Sequence, residues 1–61
     1  MIKIAKSDIG KRVIGNIPID GVIEVRHGEL VGFSDNLPLI KYDDLNIPRK
    51  AFADWLEWET K

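Results

Sequence analysis

GVIEVRHGELVGF, residues 21–33, carries the strongest structural signal in this chain of 61 residues. Its first half alternates apolar and polar side chains, and this period of two residues is typical of a half-buried β-strand. Its second half repeats the alternation. His27 and Gly28 lie between the halves, and glycine tolerates the positive φ of a tight turn, so the segment predicts a β-hairpin. The expected core residues are Ile23, Val25, Val31 and Phe33.

Turn-forming residues divide the rest of the chain into short apolar runs. SDN at 34–36 predicts a turn, and PLIKY at 38–42 predicts a third strand whose first position holds Pro38, where proline is tolerated. Residues 15–21 are interpreted as a loop that ends in an Asp-Gly turn, and KSDIGK at 6–11 as a single capped turn. Short strands at this spacing are typical of a small barrel or sandwich, so residues 1–61 predict one mainly β domain.

The C-terminal segment, PRKAFADWLEWE at 48–59, predicts a short helix. Proline suits its first turn, good helix formers follow, and Phe52, Trp55 and Leu56 fall on one apolar stripe. The alternative is a helical turn followed by a strand at LEWE, residues 56–59. Both geometries predict a buried Trp55 and a partly exposed Trp58. Trp58 then either covers a seam of a small core or contacts a partner.

Length and composition limit what this domain can be. The chain has 61 residues and no cysteine, so its core depends on burial of Ile, Val and Leu without a disulfide or a thiolate metal site. Because the resulting margin of stability is small, a homodimer is one option. No apolar run approaches the ~20 residues of a membrane span, and the N-terminus lacks the apolar stretch of a secretory signal. The sequence predicts a cytoplasmic protein with no membrane contact.

The net charge of −1 is spread unevenly along the chain. Residues 1–15 hold four basic residues against one acidic residue, and residues 16–47 hold six acidic residues against two basic ones. Domains that bind duplex nucleic acid usually carry a strong basic excess. Nucleic acid is therefore not the expected partner, although a basic edge at Lys3, Lys6, Lys11 and Arg12 keeps that alternative open.

Residues with catalytic or metal-binding chemistry are few. His27 is the single histidine, and its position at a predicted turn indicates a solvated side chain. Asp43 and Asp44 are adjacent carboxylates at a strand end, which more often start a turn than bind a cation. Gly10-Lys11 lacks the helix pattern that follows a phosphate-binding loop. The sequence predicts a protein that is not an enzyme, with no catalytic residue, metal site or cofactor.

The order of DIGKRV, a loop, GVIEV–turn–ELVGF, a turn and IKYDDL resembles SH3-like small β-barrels, of the kind found among short bacteriophage-encoded proteins. The likeness covers residues 8 to about 45 and depends on glycine and hydrophobic spacing. It implies a small SH3-like barrel or a curled antiparallel sheet, here with a short C-terminal helix. Such barrels often finish with a brief helical turn and a last strand, and they mostly bind protein or nucleic acid.

Three functions follow from the resemblance and the composition. The first is a protein-interaction module, in the form of a phage-encoded inhibitor or modulator of a host protein, which binds through an aromatic patch or an open sheet edge. The second is a small barrel that binds nucleic acid, and the third is a structural subunit of a larger assembly. The candidate binding residues are Trp58, Tyr42, Lys11, Arg12 and Arg26.

Overall fold

The computed structural model describes residues 3–59, which form one antiparallel sheet of five strands. The strands are β1 (Arg12–Ile19), β2 (Val22–Ser34), β3 (Leu37–Tyr42), β4 (Arg49–Lys50) and β5 (Leu56–Trp58). They lie in the order β4-β3-β2-β1-β5, so β4 and β5 are the two edges and the sheet is not closed. The prediction of a mainly β fold built as a small curled antiparallel sheet is confirmed.

β2 runs without interruption through the predicted turn at His27 and Gly28, so the hairpin expected within residues 21–33 is wrong. Two hairpin turns lie instead at the ends of β2, at Asp20-Gly21 and Asp35-Asn36. All four of these residues have positive φ, the geometry of the tight turns whose twist matches that of the flanking strands. The loop predicted at 15–21 is wrong up to Ile19, because β1 pairs with β2 throughout that range. The Asp-Gly and SDN turns are confirmed.

Gly28 is needed for close packing between β2 and β3. A Cβ atom at this position would lie 2.7 Å from the carbonyl oxygen of Lys41 and 2.9 Å from Cγ2 of Ile40. Gly15 on β1 plays a similar part, since its Cβ would lie 2.8 Å from the hydroxyl oxygen of Tyr42. The two glycines therefore allow the side chains of β3 to cross the inner face of the sheet at close range.

The core is a small cluster on the inner face of the sheet. Its buried members come from four of the five strands and are Val13, Leu30, Ile40, Tyr42 and Leu56. Of the four predicted core residues, Ile23, Val25 and Val31 are exposed, and Phe33 is half-buried against the cluster. The expected orientation of β2 is therefore wrong for three of them.

A β-bulge explains why Phe33 is the exception. Leu30 pairs with Ile40 and Gly32 pairs with Leu39, so Val31 is an extra residue without a partner. Such an insertion reverses the alternation of side chains along a strand. Leu30 and Phe33, three residues apart, consequently both pack on the core side.

The continuous helix expected over residues 48–59 does not form. β4 pairs with β3, one 3-10 turn covers Ala53–Trp55, and β5 pairs with β1. The alternative of a helical turn followed by a strand is therefore the one observed. Leu56 and Trp58 share the inner face of β5 because they lie two residues apart. Trp58 is thus half-buried and Trp55, in the 3-10 turn, is 43% exposed, which reverses the predicted burial of the two tryptophans.

The turn predicted at KSDIGK is a 3-10 turn over Lys6–Asp8. Asp8 accepts a hydrogen bond from the amide of Ala5, which precedes the turn, at 2.8 Å. Within residues 3–59 no helix is long and apolar enough to cross a membrane.

Candidate interaction groove

An open groove of about 700 Å³ lies on the inner face, where the sheet is not closed. Most of its lining comes from the second half of β1, the segment that follows β3, and the stretch from β4 to the second 3-10 turn, and one residue each of β2 and β3 completes it. Its apolar lining includes Ile17, Pro18, Ile19, Leu45, Ala51, Phe52 and Trp55.

The groove continues the core outward. Ile17 and Ile19 lie on the same face of β1 as buried Val13, because side chains at intervals of two residues share a face. β5 pairs with β1 only at residues 13–15, and β3 pairs with β2 only from Gly28 onward. The end of the β1–β2 hairpin therefore extends past its neighbouring strands, and its apolar inner face has no strand to cover it within the described sheet.

Phe52 and Trp55 are the exposed aromatic side chains of the groove. Their exposed fractions are 62% and 43%, and the amide of Trp55 donates to the carbonyl of Phe52 at 2.9 Å across the 3-10 turn. Sequence reasoning assigned both to the apolar stripe of a helix. The strand alternative at residues 56–59 is the signal from which the exposure of Trp55 could have been predicted. If Leu56 opens a strand toward the core, its neighbour Trp55 must point elsewhere.

The rim of the groove carries three cations and one anion, namely Arg26, Arg49, Lys50 and Asp44. Arg26 forms ion pairs with Glu24, at 2.8 Å, and with Asp44. Lys50 Nζ lies 2.6 Å from Asp35 Oδ2. Arg49 is exposed and forms no ion pair with any residue in the range 3–59.

The structure divides the five predicted binding residues between two places. Tyr42 and Arg26 line the groove, where Tyr42 is only 3% exposed and forms part of the floor. Burial raises the pKa of the Tyr42 phenol, and the nearby charge of Arg49 acts in the opposite direction. The other three residues, Lys11, Arg12 and Trp58, lie together at a second depression of about 420 Å³ with Gly10 and Glu59.

Two of the side chains that line this second depression, Lys11 and Trp58, contact each other. Lys11 Nζ lies 5.4 Å from the centre of the Trp58 ring, which is a cation–π contact, and 2.8 Å from Asp8 Oδ1. Lys11 therefore lies over one face of the Trp58 ring. Trp58 acts here as a cover over the core, the first of its two predicted roles.

Arg12 is the centre of an ion cluster that connects β1, β2, the end of β3 and the residue after β5. Its two terminal nitrogens lie 2.8 and 2.5 Å from the carboxylate oxygens of Asp43, and its Nε lies 3.7 Å from Glu59. His27 Nδ1 lies 2.7 Å from the same Glu59 oxygen. The hydrogen bond from Arg12 lowers the pKa of Asp43, and the hydrogen bond with His27 lowers that of Glu59.

These contacts determine the roles of the residues singled out for their chemistry. His27 lies within β2 and pairs with Glu59, so its predicted position at a turn is wrong. Asp43 and Asp44 do form a turn after β3. Each of them engages a different arginine, Arg12 and Arg26 respectively, so the two carboxylates do not act as a pair.

The free edge of β1 beyond residue 15 is poorly suited to adding a strand. Glu59 donates its amide to the carbonyl of Arg12 at 3.1 Å, so the backbone of Arg12 faces β5. In an antiparallel ladder the backbone N–H and C=O groups of successive residues point to opposite sides of the strand. The backbone groups of Asn16 and Pro18 therefore point to the same side as those of Arg12. Proline has no N–H, and Asn16 therefore supplies the single backbone N–H donor of this edge segment.

Comparison of the chain with models of protein families, with curated proteins and with solved structures finds no match.

Proposed function

We propose that this protein is a small non-enzymatic interaction module that binds a segment of a partner protein in the groove. The observation that carries the proposal is the exposed pair Phe52 and Trp55 beside the uncovered apolar face of β1. Single exposed apolar side chains are ordinary on protein surfaces, but a continuous apolar depression indicates a binding site. Tryptophan is also enriched among the residues that dominate binding energies.

Recognition in this groove depends on side chains. Pro18 interrupts the donors along the free edge of β1, so an extended partner gains few main-chain hydrogen bonds there. The sequence suggested two binding modes, an aromatic patch and an open sheet edge. We propose the aromatic patch. The aromatic residues of this patch are Phe52 and Trp55, where the sequence suggested Trp58.

The nucleic-acid alternative receives less support from the basic residues that suggested it. Lys11 is paired with Asp8 and stacked on Trp58, and Arg12 is paired with Asp43. Stacking of bases needs a free aromatic face next to cations that are available to phosphates. These contacts engage Trp58, Lys11 and Arg12, whereas Lys3 and Lys6 are exposed and in no ion pair within residues 3–59.

The SH3-like resemblance is part of the proposal. Its support is the 3-10 turn at Ala53–Trp55 followed by β5, the ending that such barrels often have. A phage-encoded modulator of a host protein in the cytoplasm is the form that we expect, and the support for this is the composition and the resemblance.

The test is a selection of random 12-residue peptides on the immobilised protein, followed by calorimetric titration of the enriched peptides. Phe52→Ala and Trp55→Ala should each weaken binding at least tenfold. The matched control is Val25→Ala, which removes an exposed apolar side chain from the outer face of β2. If no peptide is enriched, or if enriched peptides bind all three variants like the wild type, the proposed function is wrong. Circular dichroism melts establish that each variant is folded.

A further inference from the structure

We infer that the groove takes an acidic peptide segment, with apolar side chains on its floor and a carboxylate at Arg49. This inference rests on the proposed function and adds the chemistry of the partner. It depends on the distribution of charge around the groove and on which of those charges are already paired.

The groove wall carries three cations, and carboxylates pair with two of them. Asp44 is the one acid among the lining residues, and it contacts Arg26, which also pairs with Glu24. Lys50 is held by Asp35, and this aspartate lies outside the groove lining. The cation of Arg49 is exposed and free of carboxylate contacts within the described part of the chain. An incoming anion therefore meets a cation that needs no existing ion pair to be broken.

The unpaired charge of Arg49 has a larger effect on binding when a partner covers the apolar floor. A segment seated on Phe52 and Trp55 removes water from the neighbouring rim, and a cation that loses water without gaining a partner costs free energy. A carboxylate can satisfy the guanidinium with two parallel hydrogen bonds. A lysine or arginine at the same point would add like charge in a partly desolvated site, so basic segments should be rejected.

A peptide fits this arrangement better than a nucleic acid does. Nucleic-acid affinity comes mainly from neutralising many phosphates, whereas the groove offers one unpaired cation within residues 3–59 and the whole chain carries a net charge of −1. An acidic segment with apolar residues needs only one or two such contacts, because burial of its side chains provides most of the affinity.

The test measures the composition and charge dependence of the peptides selected as above. Enriched sequences should be rich in Asp or Glu together with Leu, Phe or Trp. Their affinity should fall at least tenfold in Arg49→Glu and less than twofold in Lys6→Glu, which makes the same change of net charge on an exposed residue outside the groove. A peptide whose acidic residues are replaced by lysine should bind the Arg49→Glu variant again, because the two charges are then exchanged.

The outcomes separate the inference from the proposed function. Neutral or basic peptides that depend on Trp55 would overturn the inference and leave the interaction module intact. Tighter binding of a 12-residue oligothymidylate than of any peptide, with the same dependence on Trp55, would assign the groove to nucleic acid. Dimerisation seen by analytical ultracentrifugation and abolished by Trp55→Ala would assign it to a second copy of the chain. Both of these results would also overturn the inference.

Discussion

Replacement of Leu30 by alanine should remove most of the stability of the fold, while the same change at the next residue, Val31, should be tolerated. Leu30 is fully buried within the core cluster. Val31 is the unpaired residue of the bulge and is 37% exposed. Regular alternation along β2, with Val31 and Phe33 directed inward, predicts the opposite order.

The expected magnitudes follow from burial. A buried Leu→Ala change costs about 2–5 kcal/mol, because apolar contact is lost and a cavity remains. At about 0.05–0.15 kcal/mol per residue, a chain of this length has a free energy of unfolding of about 3–9 kcal/mol. Leu30→Ala therefore removes about half of it or more. Val31→Ala shortens a side chain that is already partly in water and should cost about 1 kcal/mol or less.

Urea unfolding followed by far-ultraviolet circular dichroism measures both free energies by linear extrapolation. We expect a folded Val31→Ala protein with a transition midpoint close to that of the wild type, and a Leu30→Ala protein whose midpoint falls to about half of the wild-type urea concentration or lower. Equal costs at the two positions, or a larger cost at Val31, would refute the orientation of β2 and the bulge.

Three further predictions concern packing, exposure and charge. Gly28→Ala should abolish the cooperative thermal transition, because the added Cβ meets β3 backbone at 2.7 Å; a melt like that of the wild type would contradict the close strand packing. In single-tryptophan variants, acrylamide should quench Trp55 more strongly than Trp58, and the reverse order would restore the burial predicted from sequence. The lowered pKa values of Asp43 and Glu59 predict stability that is present above their ordinary pKa values and is lost as pH falls through the lowered values. The Tm of the wild type should therefore decrease as the pH is lowered below about 4. This decrease should be smaller in Asp43→Asn; an identical pH profile for the variant would exclude this contribution.

Local chemistry in the sequence predicted the fold class, two hairpin turns and β3. The turns at Asp20-Gly21 and Asp35-Asn36 are evident because few residue pairs accept positive φ at two successive positions. β3 is evident from its apolar run after such a turn. The interpretation of Gly28 was wrong for a tertiary reason: glycine serves a tight turn and a close strand contact equally well, and only the pairing of β2 with β3 distinguishes them.

The candidate site was harder to predict because it arises from unequal strand lengths. The groove exists where β1 extends beyond β5 and where β2 extends beyond β3, and no local pattern specifies where a neighbouring strand ends. Tyr42 and Arg26 were singled out from sequence and do line the groove. Phe52 and Trp55 were assigned to a helix because residues 48–59 have good helix propensity, which the pairing of β4 and β5 overrides.

We propose that partners bind at the groove and not at the depression formed by Lys11, Arg12 and Trp58. The most direct measurement is a two-dimensional ¹⁵N–¹H NMR titration of the wild-type protein with an enriched peptide, which follows the indole N–H signals of both tryptophans. We predict that the Trp55 signal shifts in a saturable manner while the Trp58 signal stays in place. A shift of Trp58 with an unchanged Trp55 would contradict the account.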